Sequence, residues 1–444
     1  MKFGRSGVEK SSNVRVGCMR VLHLPSTFFP KNTGGKEVFV YQLVKGNPEI
    51  QQLVVYHQGA AVTDTTYQGI PIRILPPPTI SDYYESYWSH VYDDLPGFKE
   101  TLEEFKPDLV HFHDFCAGAS LSHLRACRSA GVKTLVTYHS PGNSCLQKGL
   151  IRANRVPCDG KIIDQRCTAC RYQTKGIPSL LANVMAAVNI PINKRGNVLL
   201  RHSTERFHRS FNEFFSDVDA VQVHASWVRD LLISNQVSPE KIKLIPMGGH
   251  PSLNGIDRQP TDENQPLKIV LLGRNVNIKG SHILIEAVKR LPLHAKVEVH
   301  FFGPDWDDSP YGQGLRKSVE GDMRFMPPRL IPPENVVQEL SKMDVCVIPS
   351  LWPETGPLSL FDAFAAGVPV IGTNHAGIAE RIQHQKNGLL FAWGDSEDLA
   401  RQLKRLLDNR DLLIHLRQSI GRNRTFVEMA SDIKDLYRAI VISR

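Results

Sequence analysis

The features that this sequence lacks already restrict the class of protein. Its 444 residues contain no apolar run of about 18, which excludes an ordinary membrane-spanning helix. The opening residues MKFGRSGVEKSSNVR are basic and polar without an apolar core, so we expect no signal peptide and a cytoplasmic location. The 53 Lys and Arg are scattered rather than grouped, which argues against nucleic-acid binding despite a formal net charge of +8.

Two common enzyme motifs are also missing. No GxGxxG run is followed by an acid about 20 residues later, so a nicotinamide-dependent oxidoreductase is the weaker interpretation. No Ser or Cys nucleophile elbow is visible. The composition itself, 41% hydrophobic and 22% charged, is ordinary for a globular chain. Its length suits two large α/β domains or three smaller ones.

Short β-branched runs alternate with helix-length segments on both sides of a polar linker at 254–266. The runs before the linker are VLHL, LVVYHQ, DLVHFHD, KTLVTYHS, AVQVHAS and KIKLIPM; those after it are LKIVLLGR, KVEVHFFG, DVCVIPS and PVIGT. This alternation predicts two doubly wound, Rossmann-like parallel-sheet domains, 1–253 and 267–425, with ligands in the cleft between them. Residues 426–444 are predicted to form an amphipathic helix that returns to the first domain.

The stretch PETGPLSLFDAFAAGVPVIGT, residues 353–373, places Glu354 and Asp362 eight positions apart. A helix is predicted over 357–366, with Gly356 as its cap and Pro357 as its first residue. The two carboxylates would then lie roughly 7 Å apart along the helix axis, one at each end of an elongated ligand. The alternative is a solvated loop acid and a salt-bridge partner.

This helix has no Ser, Thr, Asp or Asn at its cap. The amides of Leu358 and Ser359 are therefore expected to be free to bind an anion or a hydroxyl group. Nearby along the sheet, LLGRNVNIKG places Arg274 at a strand end and Lys279 at the start of the next helix. These two cations are expected to hold a diphosphate, although lysines are common at helix starts.

Glycines and histidines of the first predicted domain are expected to line the opposite side of the cleft. Gly34 and Gly35 in KNTGGKEVFV precede a predicted helix, where they would allow close backbone approach to a ligand or serve as a turn. His111 and His113 in HFHD, and His139 in TYHSPGN, fall at predicted strand ends. Alternation along the strand explains the HxH spacing without a metal, so we favour hydrogen bonding to a sugar or phosphate, above all for His139.

Four of the eight cysteines lie within 26 residues, in an insertion at about 141–178. The spacing C-x12-C-x8-C-x2-C predicts a structural zinc site at Cys145, Cys158, Cys167 and Cys170. One or two disulfides, or reduced thiols packed as small apolar groups, are the alternatives.

Taken together, GRNVNIKG, DVCVIPSLWPETGPLSLFDAFAAGVPVIGT and HAGIAERIQHQKNGLLF resemble the retaining glycosyltransferases of family 4, which have the GT-B fold. The resemblance runs from a first strand near residue 16 to about residue 426, and the cysteine-rich insertion is similar to that of one subgroup. It implies contacts of Glu354 and His139 with the donor sugar and of Asp362 with the nucleotide ribose. It also assigns the diphosphate to Arg274 and Lys279, and further donor contacts to Gly34, Gly35, Gly356, Pro357, Leu358 and Ser359.

The chain departs from the family pattern at three places. Asp362 replaces the usual second Glu, Met247 stands where Asn is usual, and ETGPL replaces the commoner EGFGL. None of these changes removes a charge from the site.

The resemblance implies transfer of a sugar from a nucleotide-diphosphate sugar to an acceptor hydroxyl with retained anomeric configuration. No catalytic cofactor is expected, because Arg274 and Lys279 can neutralise the leaving diphosphate. A saccharide or lipid-linked saccharide acceptor in surface polysaccharide synthesis fits. The basic segment RHSTERFHRSF at 201–211 suggests peripheral contact with anionic lipid, although a scattered solvated face explains it equally well. A GT-B epimerase or phosphorylase is the nearest alternative.

Overall fold

The computed structural model describes residues 19–80, 89–188, 200–253 and 264–443. The predicted strand start near residue 16 and most of the predicted linker lie outside these ranges. Among the described residues, no helix is both long and apolar enough to cross a bilayer.

The first part of the chain forms an eight-stranded sheet in the order β10-β9-β6-β5-β1-β2-β4-β3. All neighbouring strands are parallel except β3 and β4, which form an antiparallel hairpin at one edge. The strands are β1 (Arg20–Leu24), β2 (Gln51–His57), β3 (Thr63–Tyr67), β4 (Ile70–Leu75), β5 (Leu109–Phe112), β6 (Lys133–Thr137), β9 (Ala220–Val223) and β10 (Ile242–Leu244).

Helices cover this sheet, as buried parallel strands require. They are α1 (Gly35–Lys45), α2 (Phe98–Phe105), α3 (Leu121–Ser129), α4 (Asp164–Thr174), α5 (Ser179–Val188), α6 (Leu200–Asp217) and α7 (Ser226–Ser234). The cysteine-rich insertion contributes a small hairpin, β7 (Ile151–Arg152) with β8 (Val156–Pro157), and the helix α4.

The second part forms a five-stranded parallel sheet in the order β12-β11-β13-β14-β15. Its strands are β11 (Leu267–Leu272), β12 (Val297–Phe302), β13 (Val345–Ile348), β14 (Val370–Thr373) and β15 (Gly388–Phe391). Its helices are α8 (Ser281–Arg290), α9 (Pro310–Val319), α10 (Val336–Leu340), α11 (Leu358–Ala365), α12 (Ala376–Ala379), α13 (Ser396–Asp408) and α14 (Arg410–Gln418).

The last helix, α15 (Phe426–Ile442), packs against the first sheet rather than the second. Its Tyr437 hydroxyl is 2.7 Å from Nδ1 of His111 on β5, and the carbonyl of Ala430 accepts a 3.0 Å hydrogen bond from Asn47. Gly46 at the end of α1 allows this approach, since a Cβ there would lie 2.6 Å from the Cβ of Ala430.

The predicted fold class, two doubly wound parallel-sheet domains, is confirmed. The β3–β4 hairpin and β15 were not predicted. The basic segment 201–211 lies in α6, which turns Phe207 and Phe211 into the core of the first domain and leaves Arg209 exposed. The aromatic residues of the segment follow a helical period that faces the sheet, and contact of its basic residues with lipid stays a prediction.

Candidate active site

The loop after β11 carries both predicted phosphate-binding cations. Arg274 is exposed two residues beyond the strand, and Lys279 ends a short 3-10 turn, Asn277–Lys279, just before α8. Gly280 joins this turn to the helix with φ +78°, and a Cβ there would lie 2.0 Å from the carbonyl oxygen of Pro349. The backbone carbonyl of Ile278 also accepts hydrogen bonds from the segment after β13. The loop is therefore fixed against the neighbouring strand end.

Lys279 and Glu354 form an ion pair. The Nζ atom of Lys279 is 2.6 Å from Oε1 of Glu354, and Ser350 donates a 2.9 Å hydrogen bond to the same oxygen. The Glu354 side chain is only 11% exposed, so it is not a solvated loop acid. Two of the predicted catalytic side chains are thus in direct contact.

The helix α11 begins one residue later than predicted. Pro357 is its cap and Leu358 its first residue, because the backbone of Pro357 is extended, with ψ 104°, rather than helical. Gly356 is therefore not the cap but a point of close approach: a Cβ there would lie 2.9 Å from the Cβ of Met247. No side chain caps the helix, so the first amides, those of Leu358 and Ser359, lack a capping partner as predicted.

Asp362 lies within α11 and makes no ion pair with any described residue. Burial raises the pKa of its carboxyl group to about 7. Its proposed alternative role as a salt-bridge partner is therefore not what the structure shows. A buried carboxylate that has no cationic partner is suited to accept hydrogen bonds from the hydroxyl groups of a ligand.

The paired glycines bring a second helix start to the same place. Gly34 is the cap of α1 and, like Pro357, offers no side-chain hydrogen bond to the helix amides. A Cβ on Gly35 would lie 3.6 Å from Cδ1 of Leu358, so the starts of α1 and α11 are in contact across the cleft. Two helix N-termini, each favourable to negative charge, meet here.

His139 is half-buried at the end of β6 and faces the second domain. Its backbone carbonyl accepts a 2.9 Å hydrogen bond from the Thr355 hydroxyl, next to Glu354. Its ring lies 4.7 Å from that of Phe39 and 5.4 Å from that of His224, measured between centroids. Burial lowers the pKa of His139 well below its usual value, so the ring is neutral at physiological pH.

Behind His139 lies a group of buried histidines. Nδ1 of His23 is 3.0 Å from Nε2 of His113, and His113 in turn lies 3.4 Å from His139. His23, His111 and His113 are the one trio of possible metal ligands among the described residues, with donor atoms within 4.8 Å. Their ring nitrogens already contact one another or neighbouring polar groups such as Gln52, and burial lowers the pKa of His23 to about 4. We read the group as a neutral hydrogen-bonded support for His139.

Sequence reasoning missed two features of this cleft. His224, at the end of β9, is buried with no hydrogen-bond partner for its Nε2 atom. Lys36, next to Gly35, lies 2.5 Å from Asp114 and also contacts Ser26. Burial opposes the charge on Lys36, but Asp114 together with Cys116 and Glu37 more than offsets this and raises the pKa of the lysine. Neither His224 nor Lys36 belongs to a motif with a recognisable spacing, although both lie at the ends of predicted strands or helices.

The four cysteines of the insertion line one cavity of about 40 Å³ and are free thiols. No three of their sulfur atoms come within 4.8 Å of one another, whereas tetrahedral zinc requires all four closer than that. Burial raises the pKa of Cys145 and Cys158, and that of Cys167 to about 11. The structure therefore gathers the predicted ligands without arranging them as a zinc site, and it does not form the alternative disulfides.

Comparison with known proteins decides the family. The family model described as glycosyltransferase family 4 matches residues 33–252, and that described as glycosyl transferases group 1 matches residues 266–409. The chain belongs to glycosyltransferase family 4. This glycosyltransferase is thus an enzyme of the hexosyltransferase type with the GT-B fold.

Relatives of this glycosyltransferase include the amylovoran biosynthesis glycosyltransferase AmsK of Erwinia amylovora, 26% identical over 61% of this chain and 67% of that protein. A putative colanic acid biosynthesis glycosyltransferase, WcaL of Salmonella typhimurium, is 30% identical over 37% of this chain and 42% of its own length. The solved structure of Anabaena Alr3699/HepE in complex with UDP-glucose superposes with a TM-score of 0.60 at 16% identity, covering 95% of this chain and all of that one.

Proposed function

We propose that the protein transfers a sugar from a nucleotide-diphosphate sugar, bound by residues 267–425, to a hydroxyl group of an acceptor bound by residues 1–253. The observation that carries the proposal is the contact between Lys279 and Glu354 beside two uncapped helix starts. Cations and helix N-termini suit a diphosphate, and carboxylates suit sugar hydroxyls. The HepE structure with UDP-glucose supports the same class of donor.

Each side chain then has a role. Arg274 and Lys279 would neutralise the leaving diphosphate, while the amides of Leu358 and Ser359 bind the donor's phosphate or sugar. When the diphosphate draws Lys279 away, Glu354 becomes free to bind the transferring sugar, still positioned by Ser350. Asp362 would accept hydrogen bonds from the ribose. Neutral His139 would hydrogen-bond to the sugar from the opposite side.

Retention of anomeric configuration is also part of the proposal. No Ser or Cys nucleophile motif suggests a covalent route, so the leaving phosphate would take the acceptor's proton on the face from which it departs. The AmsK and WcaL relatives support a saccharide or lipid-linked saccharide acceptor in polysaccharide synthesis. Cytoplasmic location stays a prediction from the sequence.

Thermal unfolding with a panel of sugar nucleotides tests the donor. A ligand that binds only the folded state at about 100 times its Kd stabilises it by about 2.7 kcal/mol, so one sugar nucleotide should raise Tm clearly above the rest. The preferred donor is then supplied with acceptor saccharides and the product's anomeric configuration is determined by NMR. An epimerised sugar nucleotide or a free sugar phosphate as the product would favour the epimerase or phosphorylase alternative instead.

A structural zinc ion is a separate proposal, supported by the cysteine spacing and the shared cavity. Zinc binding would require the four sulfur atoms to lie closer together than they do in the structure. Metal analysis of protein purified without chelator should find about one zinc per chain. Absence of zinc, with four thiols that react in the native protein, would contradict the proposal.

A further inference from the structure

The helix α5 (Ser179–Val188) has its side chains arranged opposite to those of an ordinary surface helix. Its sequence SLLANVMAAV contains no charged residue. The small side chains of Ala182 and Ala186 are buried, whereas Leu180 and Val188 are 81% and 62% exposed. A helix of a globular protein normally turns its large aliphatic side chains inward.

The exposed residues of α5 form one face. On a helical wheel with 100° per residue, Leu180, Leu181, Val184, Ala187 and Val188 fall within an arc of about 120°. The other large aliphatic side chains exposed in the described ranges lie at least seven residues apart in sequence. We call this face the α5 apolar face.

This orientation is held in place by the neighbouring helices. Ala182 and Ala186 pack into a small core with Tyr172 of α4 and Leu200 of α6. The Nη1 atom of Arg201 donates to the carbonyl oxygens of Ala186 and Ala187 at 3.2 and 3.1 Å, which satisfies the C-terminal end of α5. Rotating the apolar face inward would break both sets of contacts.

The sequence around α5 has an excess of positive charge. Residues 145–210 contain twelve Lys and Arg and three Asp and Glu, a formal net charge of +9, whereas the whole chain carries +8. The rest of the chain is therefore close to neutral. An uncovered apolar helix face thus sits within a basic region of the sequence.

We propose that the α5 apolar face docks onto the surface of an anionic lipid bilayer. Apolar side chains at the depth of the headgroups and basic residues near the surface are the two contributions that together give stable peripheral binding. The proposal goes beyond the transfer reaction and does not depend on it.

A second copy of the chain is a poorer occupant. Two such regions, each with a net charge of +9, would repel one another. A helix of ten residues is about 15 Å long and offers far less than the roughly 800 Å² per partner of a stable protein interface. A fluid bilayer needs no complementary shape and supplies the opposite charge.

Vesicle co-sedimentation of the full-length protein tests the proposal. Vesicles of phosphatidylcholine alone are compared with vesicles containing about one-third phosphatidylglycerol, in low salt and in about 0.5 M salt. The variants are Leu180→Asp and Val184→Asp. The matched control is Leu293→Asp, since Leu293 is 85% exposed but lies between α8 and β12 in the second domain. All four proteins should give the same circular dichroism spectrum, because the substituted side chains are exposed.

We expect the parent and Leu293→Asp to bind the anionic vesicles at least about tenfold more tightly than the neutral ones, and less tightly in high salt. Leu180→Asp and Val184→Asp should each weaken this binding about tenfold or more. Equal binding by all variants, or no binding of the parent to anionic vesicles, would overturn the proposal. Self-association in light scattering that Leu180→Asp abolishes would overturn it in favour of a second copy.

Discussion

At the residue scale, Lys279 has two roles. It positions Glu354 through the ion pair, and in the proposed reaction it binds the diphosphate. The 273–280 loop that carries the lysine is held against the segment after β13 by a hydrogen bond from Ser350 to the carbonyl of Ile278. In the proposed reaction the same Nζ atom meets negative charge that grows as the diphosphate leaves, an interaction stronger in the transition state than in the bound donor.

Lys279→Ala should therefore lower kcat by about a hundredfold or more at saturating donor. Folding should change little, since the lysine is partly exposed and its loop has its own backbone hydrogen bonds. The measurement is steady-state kinetics together with urea unfolding. Lys296→Ala, which removes an exposed lysine from the same domain, serves as the control. An unchanged kcat would place Lys279 outside the reaction.

Asp362 links function to the pH dependence of stability. Burial raises its pKa from the unfolded value near 4 to about 7, so ionisation of the folded protein is unfavourable. Between these values the folded state holds more protons than the unfolded state, and the free energy of unfolding falls as pH rises through about 7. Asp362→Asn should thus stabilise the ligand-free protein at about pH 8 and much less at about pH 5.

The same substitution should weaken binding of free nucleotide diphosphate, by about 1 to 3 kcal/mol, because it removes the charge from an acceptor of ribose hydrogen bonds. Urea unfolding at both pH values and calorimetric titration measure the two effects. Asp411→Asn, at an exposed position of α14, is the comparison. Nucleotide affinity equal to that of the parent would show that Asp362 does not bind the ribose.

At the element scale, the turn that presents Lys279 depends on one glycine. Gly280 has φ +78° and lies against the carbonyl oxygen of Pro349, whereas Gly321 has a similar φ of +74° with no heavy atom near its absent Cβ. Gly321→Ala should cost roughly 1 kcal/mol of stability from backbone strain alone. Gly280→Ala should cost more and should also lower kcat, because its Cβ must push the loop from β13.

Urea unfolding of both variants separates the two contributions. Equal losses of stability would mean that the loop can move away from Pro349 without consequence.

The local elements of the site could be predicted from the sequence more fully than its contacts. The Pro and Gly positions around α11 predicted that helix to within a residue, since φ preferences act locally. The pairing of Lys279 with Glu354 could not be predicted, because it depends on two loops 75 residues apart. His224 was missed for the same reason: its Nε2 atom is notable only once burial and neighbours are known.

For the four cysteines, the sequence predicted the shared location but not the distances between the sulfur atoms. Their spacing suggested four ligands, and the chain does bring them to one cavity. The distances between sulfur atoms are set by the β7–β8 hairpin and α4, and no spacing rule predicts how closely such elements pack.

At the scale of the whole molecule, the first domain is completed by a helix from the other end of the chain. Tyr437 of α15 contacts His111 within the buried histidine group, and both residues are fully buried. Tyr437→Phe would leave Nδ1 of His111 without this partner in a place that water does not reach.

This substitution should reduce the free energy of unfolding by about 1 to 3 kcal/mol. Tyr41→Phe, which removes an exposed hydroxyl bonded to Gln68, should cost far less. Chemical denaturation of the three proteins under identical conditions makes the comparison. Similar losses for both variants would show that the His111 contact contributes no more than a surface hydrogen bond.

The return of α15 also sets an order of events during synthesis. His111 and Tyr437 are 326 residues apart in the chain, and Asn47 and Ala430 are 383 apart. While the ribosome is still translating the second domain, α15 has not yet been made. The helical layer on that face of the first sheet is then incomplete, and His111 and the groove beside α1 are uncovered. Contacts of such long sequence separation form slowly and leave apolar surface open to chaperones and to aggregation in the meantime. We therefore expect the packing of the first domain to be completed only after α15 has been synthesised, although the strands of the domain are complete at Leu244.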